Sequence, residues 1–171
     1  LCVTAFFLRS YATYRDLIFA YDQGRDAIMM ERIASGDLTL IGPVTGLDGV
    51  YLGPFWYYLL LPAYVIGQGN PVVAALYMKL FSVGVILLLY WWGRRAKLPW
   101  VGLLAGTIYA VSFQNILFAR WLSNPVPLPF FALLGFSVLW VALERRTWWI
   151  FMIVGMIFGA SPQLAAANAV W

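Results

Sequence analysis

The stretch Pro71–Arg95, PVVAALYMKLFSVGVILLLYWWGRR, decides the fold. Through Trp92 it runs 22 residues with a single charge, Lys79, and it closes on Arg94, Arg95 and, shortly after, Lys97. At 1.5 Å per residue a helix of that length reaches about 33 Å, enough to cross the hydrocarbon of a bilayer. The run lacks the alternation of a barrel strand, and backbone inside hydrocarbon must satisfy its own polar groups, so a helix is the expected form.

Working outward, Pro99–Phe118, Val126–Leu143 and Thr147–Trp171 read as further spans. Leu1–Leu8 is apolar but too short to cross, and is expected to be the end of a first span that starts before residue 1. Composition agrees: 63% of the 171 residues are hydrophobic and 11% charged, with mean hydropathy +0.81, against roughly 45 to 50% and about 25% in ordinary globular chains. A soluble domain of this size could not hide that much apolar surface. The expected class is therefore all-α, a multi-pass transmembrane helix bundle. Residues 1–171 form one membrane domain, read as the N-terminal part of a larger protein.

Charge sets the expected topology. The basic loops at Arg94–Lys97 and Arg145–Arg146 are separated by two crossings, so both fall on the cytoplasmic side. Residues 119–125 then face outward, as does the segment preceding Pro71. That segment holds six of the seven acidic residues between Arg9 and Asp48, against four arginines. Val50–Gly67 would break this scheme if it crossed. Its 18 residues include Pro54 and Pro62 and six aromatic rings, which suit the headgroup layer, so an outer-surface or re-entrant helix is expected there. Residues 9–67 thus form an outer loop with surface helices, while Trp91, Trp92, Trp100, Trp148 and Trp149 mark the opposite interface.

Several functions lack their residues. With no histidine and one cysteine, Cys2, the chain has no zinc-finger set, histidine triad or disulfide framework. A net charge of +4 confined to short clusters does not suit a nucleic-acid partner.

The densest polar cluster is Asp22, Gln23, Gly24, Arg25 and Asp26. It opens a helical pattern over Asp26–Ser35 in which Ala27, Met30 and Ala34 share a face and Gly36 offers a stop. Asp22 and Asp26 are neighbours at a spacing of four, and such a helix would lie on the bilayer with its carboxylates presented to headgroups. Asp22 reads equally as the N-cap, since aspartate suits both the cap and the dipole. The window Ile41–Pro54 carries four glycines and two prolines beside it, which ordinary turns or close approach to a ligand would both explain. Lys79 lies about 12 Å below the start of its span; an intramembrane cation is a functional candidate unless it snorkels to the surface. Arg120, next to Trp121, Ser123 and Asn124, stands against the positive-inside tendency and suits an anionic headgroup or phosphate.

The order of these features, with YDQGRDA at Tyr21–Ala27, GPVTGLDGVYLGPFWYYLLLPAY at Gly42–Tyr64 and LSNPVPLPFF at Leu122–Phe131, resembles polyprenyl-phosphate-dependent glycosyltransferases of the GT-C fold. The branch in question holds protein O-mannosyltransferases and the lipid A aminoarabinose transferase, and the chain would be about the first third of such an enzyme. The resemblance implies a catalytic aspartate at Asp22, donor or acceptor contacts at Arg25, Asp26, Lys79, Arg120 and Asn124, and outer surface helices at Asp26–Ser35 and Val50–Gly67. Gln23 stands where the second acid of the usual pair belongs, and Asn124 where relatives carry an aspartate, so a divalent metal has no residue support. Gly53 precedes Pro54 where some members place a phosphate-holding lysine.

On this resemblance the partners are membrane lipid, a polyprenyl-phosphate sugar as donor, and an acceptor that is a glycan, a lipid or a protein. The reaction is inverting transfer to a hydroxyl on the outer face of a bacterial cytoplasmic membrane, and the piece by itself is expected to be inactive. A transporter or flippase of lipid-linked intermediates is the main alternative, with Lys79 and Ser161–Gln163 in its favour; a structural subunit is a third.

Overall fold

The computed structural model of the chain describes residues 1–45 and 49–165. Gly46, Leu47 and Asp48 of the glycine-rich window, and the expected last span beyond residue 165, lie outside the described residues. The described chain is helical: α1 (Cys2–Ser10), α2 (Thr13–Asp16), α3 (Tyr21–Ala34), α4 (Phe55–Ile66), α5 (Pro71–Arg95), α6 (Pro99–Val111), α7 (Phe113–Arg120), α8 (Leu128–Arg145) and α9 (Trp148–Ala160), ending in a short 3-10 turn, Ser161–Gln163. One isolated antiparallel bridge joins Val44 to Tyr51.

Two of these helices, α5 and α8, are long and apolar enough to cross a membrane, and α6 with α7 makes a third if the bent pair counts as one span. α5 is well bounded. Asn70 caps it by accepting the Val72 N–H at 2.9 Å, Pro71 starts the first turn, and Arg94 and Arg95 sit in the last turn, where cations favour the dipole. The expected span Pro99–Phe118 is formed by two helices bent by 59° at Ser112. α9 has 13 helical residues, too few to cross on their own.

α5 and α6 pack through glycine. A Cβ on Gly93 would stand 2.5 Å from the Cα of Gly102, and one on Gly106 would meet Ile86 at 3.2 Å. Gly102 and Gly106 form the small-xxx-small spacing by which helices approach closely where no hydrophobic drive separates them from lipid. α8 runs alongside α5 in the same direction. Trp92 Nε1 donates to Ser137 Oγ at 2.8 Å, Trp91 and Trp92 stack edge-on against Trp140, and Arg95 pairs with Glu144. The two basic loops therefore lie at one end of the molecule.

The opposite end holds the main core. α4 packs there between α3 and α5, burying Trp56, Tyr57, Leu60 and Ala63 against Met30, Ile33, Ala74 and Met78. At 12 residues, about 18 Å, it is too short to cross. Two of its aromatic rings, Trp56 and Tyr57, are almost wholly buried core groups, while Phe55, Tyr58 and Tyr64 are half-buried.

α3 also differs from expectation. It starts at Tyr21, and its inward face is Gln23, Asp26, Met30 and Ile33, while Ala34 is exposed. The reason is α4, which offers an indole N–H and a hydrocarbon face, so Asp26 points into the protein and not to headgroups. Gly36 ends the helix as expected, at φ 99°, a conformation open to glycine.

Candidate functional site

The polar groups singled out from the sequence fall into three places, all at the end opposite the basic loops. The first is the start of α3. Ala20 is its N-cap position and has no side chain to cap with; instead Gln23 Oε1 accepts the Ala20 N–H at 3.0 Å, one half of a capping box. Asp22 is thus not the cap. The other end of Gln23 donates to the Leu122 carbonyl at 2.7 Å, tying α3 to the segment before α8.

Freed from capping, the Asp22 side chain is 68% exposed and is held by Arg25 Nη1 at 2.9 Å. Arg25 reaches the other way with Nε and Nη2, at 3.0 and 2.8 Å, to Asp26 Oδ1. Asp26 Oδ2 accepts the Trp56 indole N–H at 2.7 Å. A relay therefore runs from the core to the surface: Trp56, Asp26, Arg25, Asp22. Burial pushes the Asp26 carboxyl above the ordinary range, and the bonds from Arg25 and Trp56 only partly offset it. Burial is the largest single influence and acts against the Arg25 charge, but the bond to Asp26 together with the nearby charges of Asp26 and Asp22 outweighs it and the guanidinium pKa is raised. Tyr57, buried beside them, is likewise raised, chiefly by burial and then by the Asp26 charge.

The second place is the turn between α1 and α2. Lys79 does not snorkel: it is fully buried and donates to Thr13 Oγ1. Arg120 donates from Nη2 to the Leu8 carbonyl at 3.0 Å. Lys79 and Arg120 are thus brought together with each other, not with Asp22. The third is Asn124, whose Nδ2 donates to the Leu164 carbonyl at 2.8 Å while Ser123 donates to its Oδ1 at 3.3 Å, so both ends of the amide are engaged within the chain.

The glycine-rich window closes on itself. Gly42 N–H donates to Leu52 O at 2.9 Å and Leu52 N–H to Pro43 O at 2.8 Å. A Cβ on Gly42 would stand 1.9 Å from the Gly53 carbonyl oxygen, so the close approach that glycine permits is to the chain's own backbone. Among the described residues no three potential metal ligands of the histidine, cysteine, aspartate and glutamate set gather.

Sequence reasoning missed Arg9 and Trp56. Arg9 was counted with the outer loop, yet it is fully buried and makes four bonds: Nε to Ser82 Oγ at 2.8 Å, Nη1 to the Ala5 and Ala110 carbonyls at 3.1 and 3.0 Å, and Nη2 to the Tyr109 carbonyl at 3.1 Å. Its place directly after the apolar run Leu1–Leu8 was the available signal. For the pairing of Trp56 with Asp26 the linear spacing held none.

What the fold and these clusters define is a helical protein with two or three helices of bilayer length and a charged, hydrogen-bonded end. No protein-family profile, curated protein or solved structure matches the chain.

Proposed function

We propose that the chain carries the base-bearing part of a membrane glycosyltransferase that moves a sugar from a polyprenyl-phosphate donor to an acceptor hydroxyl, with inversion. In this reading an Asp22 oxygen takes the acceptor's proton as that hydroxyl oxygen attacks the anomeric carbon. The bond from that carbon to the phosphate oxygen breaks, and the phosphate leaves with the electron pair. Arg25, beside Asp22, is the cation first in line to meet the charge that develops on it. The reaction belongs, on this proposal, to the outer face of a bacterial cytoplasmic membrane, where the donor's tail stays in lipid.

One observation carries the reading: Asp22 is open to the surface but held in place by Arg25, which is itself pinned to a buried carboxylate at the end of an apolar helical body. A base must be both reachable and positioned, and a positioned base contributes about 10² to 10⁴ in rate. The order of the YDQGRDA, glycine-rich and LSNPVPLPFF segments supports the same reading. Asp22→Asn, reconstituted in vesicles with a radiolabelled polyprenyl-phosphate sugar, should lose at least about a hundredfold in transfer rate. Transfer at near the unmodified rate by a normally inserted variant would dismiss it.

A second reading, movement of lipid-linked intermediates, is favoured by the buried Lys79 within a bilayer-length helix and by the break at Ser112, since transporters use intramembrane polar groups and broken helices. It predicts that label crosses the vesicle wall with no new glycosidic bond.

A further inference from the structure

A buried cation and a half-buried one reach the two sides of the α1–α2 link. Lys79 of α5 donates to Thr13 Oγ1, and Arg120 at the end of α7 donates to the Leu8 carbonyl. Thr13 in turn donates to the Ser10 carbonyl at 2.7 Å, so these acceptors lie in the end of α1 and the start of α2, on either side of the link between them. Arg120 stands close enough to act on Lys79 as a like charge.

Among the described residues no carboxylate pairs with either of them. Among the described residues the ion pairs are those of Arg15, Arg25, Arg32 and Arg95, and neither Lys79 nor Arg120 joins one. Asp16 is the nearest carboxylate to Arg120 in effect, but it is bonded at 2.8 Å to Arg15 and feels Arg120 only through space. Arg15 and Arg120 thus share one carboxylate, and Lys79 has none. The hydrogen bonding is also incomplete: the two buried side-chain atoms without a partner among the described residues are Arg120 Nε and Ser10 Oγ, both at this place. Buried cations in membrane proteins are ordinarily paired, and an orphaned donor costs its full desolvation.

Arg120 also lines a cleft of 470 Å³. The other walls are largely apolar, Ile18, Leu117, Phe118 and Trp121, with Asp16 and Gln114 as the remaining polar groups. Ile18, Leu117 and Trp121 are each at least half exposed, so the cleft opens along the outside of the helical body. A cationic head over an apolar wall fits an amphiphile and not a small free anion, which would gain nothing from the wall.

We infer that this cleft seats an anionic phospholipid of the bilayer, with its phosphate on Arg120 and its hydrocarbon along Leu117, Phe118 and Trp121. Lys79 lies behind Arg120 and deepens the positive field without touching the ligand. The site is separate from the Asp22 cluster and does not depend on sugar transfer.

The test uses the whole chain in nanodiscs of equal parts phosphatidylcholine and phosphatidylglycerol, followed by native mass spectrometry. The unmodified chain should retain phosphatidylglycerol over phosphatidylcholine, and Arg120→Gln should lower that retention about tenfold, the worth of one charge-assisted bond. Arg120→Lys, which keeps the charge but not the fork, should fall between them. Should the variants fold poorly, a photoreactive phosphatidylglycerol added to the unmodified chain should label the peptide from Gln114 to Trp121. Label spread evenly over the apolar helices, retention unchanged in both variants, displacement by inorganic phosphate alone, or preferential displacement by polyprenyl phosphate would each overturn the assignment.

Discussion

At Asp26 burial and pairing pull in opposite directions. The carboxylate receives bonds from Arg25 and Trp56, yet the cost of taking its charge out of water dominates and its pKa rises. The folded chain therefore binds that proton more tightly than the unfolded chain does. The linkage follows: stability is greatest with Asp26 protonated, and it declines as pH climbs from the ordinary value of 3.8 through the raised folded value. In thermal melts of the detergent-solubilised chain, Asp26→Asn should flatten the slope of melting temperature against pH just above 3.8; an unchanged slope would place that dependence on other groups. Trp56→Phe keeps most of the ring's packing but removes the indole donor from a buried carboxylate. It should cost about 1 to 3 kcal/mol and push the Asp26 pKa further up. The grouping of Asp22, Arg25 and Asp26 was legible, because residues three and four apart on a helix must meet. Which carboxylate faced inward was not, since that depends on an indole 30 residues away.

Between α6 and α7 the chain breaks without the usual causes. No proline or glycine stands at Ser112, and the sequence alone read as one continuous span. Arg9 supplies the physical reason. A break frees carbonyls that a helix would have satisfied, and in an apolar layer each costs several kcal/mol if left alone. The Arg9 guanidinium takes the carbonyls of Tyr109 and Ala110, while its Nε fixes Ser82 on α5, so one side chain joins three helices. Arg9→Met should destabilise the chain by at least about 3 kcal/mol, because it leaves those acceptors unanswered. The measurement is unfolding in mixed micelles; a loss below about 1 kcal/mol would show that the break holds without Arg9. Long apolar elements such as α5 and α8 were readable because length and hydropathy suffice to recognise them. The kink and the burial of α4 were not, because both arise from contacts distant in sequence.

Across the whole molecule the two ends differ in chemistry. The basic loops at Lys97 and Arg146 gather beside the Arg95–Glu144 pair, while the acidic helix α3, the α1–α2 turn and the segment from Arg120 to Asn124 gather at the other end. That both basic loops fall at one end was legible from charge, since short basic loops tend to share a side. In a Cys2→Ser background, single cysteines at Lys97 and Arg146 should react with an impermeant maleimide from one side of sealed vesicles, and cysteines at Asp37 and Gln68 from the other. Reaction of all four from the same side would undo the layout.

The glycine contact between α5 and α6 has its own consequence. It rests on backbone touching backbone, with neither charge nor titratable group at the point of closest approach. Changes of ionic strength should therefore loosen the exposed Asp22–Arg25 pair well before they part these two helices, and a progressive salt titration would act first on the charged end of the molecule.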